Sequence, residues 1–154
     1  MATVYSAQKT KWDQTAPADY IKPNEMAGRM RVAHATYEAS SLASGDVIEM
    51  FNIPDGARLL HGNLAHDALA SSTTLSVGYA AYTNAAGTAV SAAAAAYKAA
   101  AASTSAQKID ILATLALGSG TEVDADKTGL PVTVTMGGAA GTGTIELTIY
   151  YVVD

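Results

Sequence analysis

The sequence predicts an all-β fold: an antiparallel β-sandwich of jelly-roll-like form, preceded by an extended N-terminal arm. Three observations lead there. From residue 28 onward, apolar side chains recur at every second position in one segment after another, the period of a strand with one buried face. Clusters of Gly, Pro, Asp and Ser separate these segments, and these residues supply the backbone angles that turns require. The 154-residue chain holds one Phe and one Trp, so aliphatic side chains and eight Tyr must fill the interior. Seven or eight short strands punctuated in this way build a sandwich or jelly roll.

The elements follow in order. "GRMRVAHATYE" (residues 28–38) sets Met30 and Val32 against Arg29 and Arg31. "DVIEMFNI" (46–53) is a short apolar run after the turn-forming "ASSLASG". "IPDG" (53–56) is a turn in which Pro54 presets φ and Gly56 is free to take positive φ. "ARLLHGNLAH" follows, then "TTLSVGY", with Leu75, Val77 and Tyr79 facing one way. "KIDILATLAL" places Ile109 and Ile111, then Leu115 and Leu117, on one face. "GSGTEVDADKTG" (118–129) is a polar loop with a weak strand at its centre. "LPVTVTM" alternates Val132, Val134 and Met136 with Thr133 and Thr135. "TIELTIYYVVD" does the same with Ile145, Leu147, Ile149, Tyr151 and Val153. The connecting "GGAAGTG" (137–143) predicts that these last two strands form a β-hairpin.

Two stretches depart from the pattern. Residues 1–27 are polar, contain Pro17 and Pro23, and show no sustained period. We read 1–27 as an arm and 28–154 as the sandwich domain. Tyr5, Trp12 and Tyr20 are large aromatics in an otherwise polar terminus, and an arm that docks on a partner needs such anchors. The second stretch is "AVSAAAAAYKAAAAS" (89–103). Alanine is the best helix former, but this run lacks a wide face of Leu or Ile. It predicts a short helix or compact loop inserted between strands, lying against a sheet or a neighbouring subunit and serving packing, not chemistry.

Composition narrows the function. The net charge is −5 and the nine Lys and Arg are scattered, which argues against binding DNA or RNA. Without cysteine there is no disulfide, thiolate nucleophile or Cys-based zinc site. The N-terminus shows no apolar core of a secretory leader, and no run is long and apolar enough for a membrane-spanning helix. His61 and His66, with Asp67, are the nearest approach to a metal site, but five residues along a strand put two rings on opposite faces. Glu122, Asp124 and Asp126 offer too few oxygen ligands for a calcium loop. No nucleophile elbow or P-loop occurs. The expectation is a non-enzyme with no metal and no cofactor.

One resemblance bears on function. The order "GDVIEMFNIPDGARLLHGNLAHDALASSTTLSVGY" (45–79), a small-residue middle, and the closing "PVTVTMGGAAGTGTIELTIYYVVD" (131–154) resembles a group of small tailed-phage virion structural proteins, most of all capsid decoration (cement) proteins. The resemblance implies a β-rich protein on the outer capsid surface, assembled in the host cytoplasm. Its partners would be the major capsid protein and other copies of itself, as a homotrimer rather than a dimer, with no nucleic acid and no membrane. It would bridge neighbouring shell subunits, with Tyr5, Trp12 and Tyr20 as the candidate contacts. The competing readings are another virion part (a head–tail connector, a tail protein or a head-fibre base) and a carbohydrate-binding sandwich module.

Overall fold

The computed structural model describes residues 4, 6–12, 22, 23 and 25–153. Among the described residues, ten strands follow one short helix, α1 (Ala7–Trp12): β1 (Met30–Leu42), β2 (Val47–Ile53), β3 (Arg58–His66), β4 (Thr73–Tyr79), β5 (Tyr82–Thr83), β6 (Ala89–Val90), β7 (Ala93–Ala102), β8 (Gln107–Ile111), β9 (Leu130–Gly138) and β10 (Gly141–Val152). Eight of them form two four-stranded sheets, ordered β1-β10-β3-β8 and β2-β9-β4-β7, and β5 and β6 make a separate two-stranded ribbon. All the pairings are antiparallel. From β1 to β4, and again from β7 to β10, each successive strand lies in the other sheet. This is the winding of an eight-stranded jelly roll.

The period-two pattern does what it predicts. Leu59, Leu64, Ile111, Ile145, Leu147 and Ile149 of the first sheet are fully buried. They share one core with Ile48, Ile53, Leu75, Val77, Val132, Val134 and Met136 of the second. The Pro54–Gly56 turn forms as read, with Gly56 at φ 71°.

Four expectations need correction. The alanine-rich stretch is neither helix nor loop: it supplies β6 and then β7, the edge strand paired with β4. Its hydrogen bonds close the β4 edge, and tertiary pairing overrides helix propensity. Methyl side chains also let its backbone press onto the sheet. A Cβ on Gly78 would stand 1.8 Å from the Ala93 carbonyl oxygen, so only glycine fits beneath this strand. Tyr97, 6% exposed, is its single large anchor.

The last two strands are not a hairpin. β9 pairs with β2 and β4, and β10 pairs with β1 and β3. Both carry a fully apolar face, and in opposite sheets those faces bury each other. Only Ala139 and Ala140 lie between them. Gly138 takes φ 80° where a side chain would meet the Ser72 carbonyl.

Leu115 and Leu117 do not extend a strand. β8 stops at Ile111, and Leu112 turns inward at φ 55° and is buried. Leu115–Leu117 is a 3-10 turn with Leu115 85% exposed.

At the N-terminus, residues 7–12 form a short helix where an extended arm was expected. The Ser6 hydroxyl accepts the Lys9 amide at 3.2 Å, an N-cap. Tyr5 and Tyr20 lie outside the described residues, as does the side chain of Trp12, whose backbone ends the helix.

Candidate functional site

The densest charge cluster joins the N-terminal segment to the sandwich. Lys11 Nζ lies 3.2 Å from Glu25 Oε2, and Arg58 Nη2 lies 3.8 Å from Glu25 Oε1. The same guanidinium reaches Glu122 Oε2 at 3.0 Å, and Lys22 Nζ holds Glu122 Oε1 at 3.0 Å. Arg58 Nη1 also donates to the Gly120 carbonyl at 2.6 Å. Arg58 opens β3, and its bridge to Glu122 brings the acidic loop beside that strand. The hydrogen bond from Lys11, together with the Lys22 amide and the Arg58 charge, holds the Glu25 carboxyl below its ordinary pKa. A carboxylate fixed by cations stays ionised and is a poor general acid. This cluster fastens segments to each other.

The remaining acidic-loop groups also serve the backbone. Asp124 Oδ1 accepts the Ala85 amide at 3.0 Å. Asp126 accepts both the Thr128 amide and the Thr128 hydroxyl, and these bonds lower its pKa. Asp55 Oδ1 accepts the Ala125 amide at 3.1 Å. Val123 and Ala125, between these carboxylates, are buried, so the loop is pinned from both sides. Among the described residues no three His, Asp or Glu side chains come together as a metal site would require.

The two histidines of β3 do point to opposite faces. His61 is exposed and stacks on Tyr150 with ring centroids 4.5 Å apart. His66 is 6% exposed, with Nδ1 2.7 Å from the Asp67 carbonyl oxygen. A carbonyl oxygen can only accept, so Nδ1 is the donor in this bond. The neighbouring surface carries an open depression of about 450 Å³ lined by His66, Asp67, Gln107, Lys108, Thr144 and Glu146. His34, at the β1 edge, bonds Thr148 Oγ1 at 2.9 Å.

Sequence reasoning missed a tyrosine cluster. Tyr79 meets Tyr82 edge-on at 5.6 Å and Tyr97 at 5.8 Å. Together with Leu59, Leu130 and the 3-10 turn they line a cleft of about 320 Å³. Burial, then the neighbouring phenols, pushes the Tyr97 hydroxyl far above its ordinary pKa, and burial also raises that of Tyr82. Both stay neutral near pH 7 and do not serve as bases. A signal was present: Tyr97 is the one bulky apolar residue in the alanine run, and so the side chain that must anchor it.

No protein-family description matches this chain, and no curated protein matches its sequence. Its structure, however, has close counterparts. A chain in the capsid asymmetric unit of cyanophage Pam1 is similar at a TM-score of 0.64 and 19% identity, with 100% of each chain covered. A chain in the capsid of Ralstonia phage GP4 is similar at a TM-score of 0.60 and 22% identity, covering 82% of this chain and 86% of that one. At these identities the likeness is one of fold.

Proposed function

We propose that this chain is a virion structural protein of a tailed phage that decorates the outside of the head and bridges neighbouring major-capsid subunits. The observation that carries this reading is the end-to-end likeness to a chain of a cyanophage capsid, with neither chain overhanging the other. The sequence resemblance to decoration proteins supports it independently. So does the use to which the charged groups are put: Arg58, Glu122, Asp124 and Asp126 all hold loops and termini in place.

The mechanism is geometric, not catalytic. A stiff two-sheet body contacts adjacent shell subunits, and once one contact forms the second becomes intramolecular. Individually weak contacts then add into firm attachment. Copies of this chain assemble with each other as well as with the shell, and the resemblance favours three. The N-terminal segment, with Tyr5, Trp12 and Tyr20, extends the contact.

Heads assembled without this protein provide the test. Adding the purified chain back should saturate a fixed number of sites per shell subunit and raise the temperature at which the heads release DNA. Failure to bind such heads, with the protein found instead on tails, would transfer it to the tail or connector.

A further inference from the structure

We infer that the ion pairs around Glu25 form an electrostatic clasp, which holds the N-terminal segment against the sandwich and lets it go without unfolding the sandwich. The inference concerns the free chain and goes beyond the decoration reading without depending on it. Five charges alternate in sign along one path: Lys11, Glu25, Arg58, Glu122 and Lys22. Lys11, Lys22 and Glu25 precede β1, whereas Arg58 opens β3 and Glu122 sits in the acidic loop. Two pairs cross from segment to body, Lys22 to Glu122 at 3.0 Å and Arg58 to Glu25 at 3.8 Å. The Glu25 carboxylate takes Lys11 of α1, the Lys22 amide at 3.4 Å and Arg58, so helix, turn and body meet at one side chain.

Charge, not burial, makes this attachment. None of the described residues from 4 to 27 is buried, and none joins the apolar core. Met26 is 44% and Val4 90% exposed. The backbone bonds of Thr10 to Ser6, and of Glu25 and Met26 to Lys22, stay inside the segment. Partly exposed ion pairs are individually weak and are screened by salt. Opening them leaves the body its own bonds, among them Arg58 Nη1 to the Gly120 carbonyl. The junction with β1 favours release. Ala27 stands at φ 66°, and a Cβ on Gly28 would collide with the Val152 side chain and the Pro23 carbonyl. A left-handed alanine is strained and persists only where its surroundings impose it; the clasp imposes it here.

Trp12 ends α1 and is the chain's single Trp, so its fluorescence anisotropy reads the segment alone. The test records it for wild type, E25Q, E122Q and E49Q as salt rises from about 0.05 M to about 1 M, where the screening length drops to about 3 Å. Wild-type anisotropy should start high and fall as salt rises. E25Q should start low and lose the salt dependence. E122Q, which keeps the links of Glu25 to Lys11 and Arg58, should fall at lower salt than wild type. E49Q, an exposed carboxylate on β2 outside the cluster, should follow wild type. The cooperative melting of the sandwich, followed by circular dichroism, should be the same in all four. Anisotropy indifferent to both salt and E25Q would overturn the clasp. So would an E25Q melting transition lowered as far as that of a core variant such as Leu147→Ala, because the segment would then be part of the fold.

Discussion

β10 and β7 are strands of similar length, twelve and ten residues, held by opposite means. β10 is central, between β1 and β3, and buries Ile145, Leu147 and Ile149 completely. At about 1.5–3 kcal/mol for each such side chain, this one strand contributes as much gross burial as a domain has net stability. β7 is an edge strand with two register shifts against β4. Apart from Tyr97 it offers methyl groups and a Lys98 stem, so hydrogen bonds and the close backbone approach at Gly78 hold it in place. One strand specifies its place by what it buries, the other by what it leaves out.

The sharpest break in this comparison removes β10. A chain ending before Ile145 should lose its cooperative thermal transition altogether, as followed by circular dichroism; a truncated chain that still melts cooperatively would show that β10 is dispensable. Next, Leu147→Ala should cost about 2–5 kcal/mol in denaturant unfolding, a loss felt by the whole domain. Gly78→Ala should cost about 1–3 kcal/mol, but locally: its methyl group collides with the Ala93 carbonyl, so amides of β7 should exchange faster while those of β10 keep their protection. Ala99→Ser and Ala100→Ser, at exposed positions of β7, should stay within about 0.5 kcal/mol of wild type.

Alkali probes the anchor of β7. The folded-state pKa of Tyr97 is raised above its ordinary value of 10.0 by burial. Its contribution to stability is therefore complete below that pH and is lost as the pH climbs above it. Hydrogen exchange is too fast to follow there, so a tyrosine absorbance titration is the readout. Ionisation of Tyr97 should be delayed in the folded protein and should coincide with loss of β7 structure; Tyr97→Phe should remove that component of the titration and leave the smaller delay of Tyr82.

The same contrast explains what could be read in the sequence. β4, β9 and β10 were legible because Leu75, Val77, Val132, Val134, Ile145 and Leu147 announce a buried face at period two. β7 was not, because alanine carries no face: its preference for helix is a fraction of a kcal/mol per residue, easily outweighed by the open edge of β4. The β9–β10 relation was misread because alternation fixes which side of a strand is buried but not which sheet the strand joins. The Leu115–Leu117 turn was hidden by Leu112, whose positive φ reverses the alternation that the sequence alone suggests. As for the site, the two faces of His61 and His66 followed from spacing. The ion-pair cluster around Glu25 and the Tyr79–Tyr82–Tyr97 cleft did not, because each joins residues far apart in the chain.

The function proposed above has a stiff jelly roll working by its position on a phage head. A cryo-electron microscopy reconstruction of the particle that carries this chain tests that most directly. The account predicts density for the sandwich on the outer surface of the shell, touching at least two major-capsid subunits. Density confined to the tail axis, or a sandwich enclosed within the head, would contradict it.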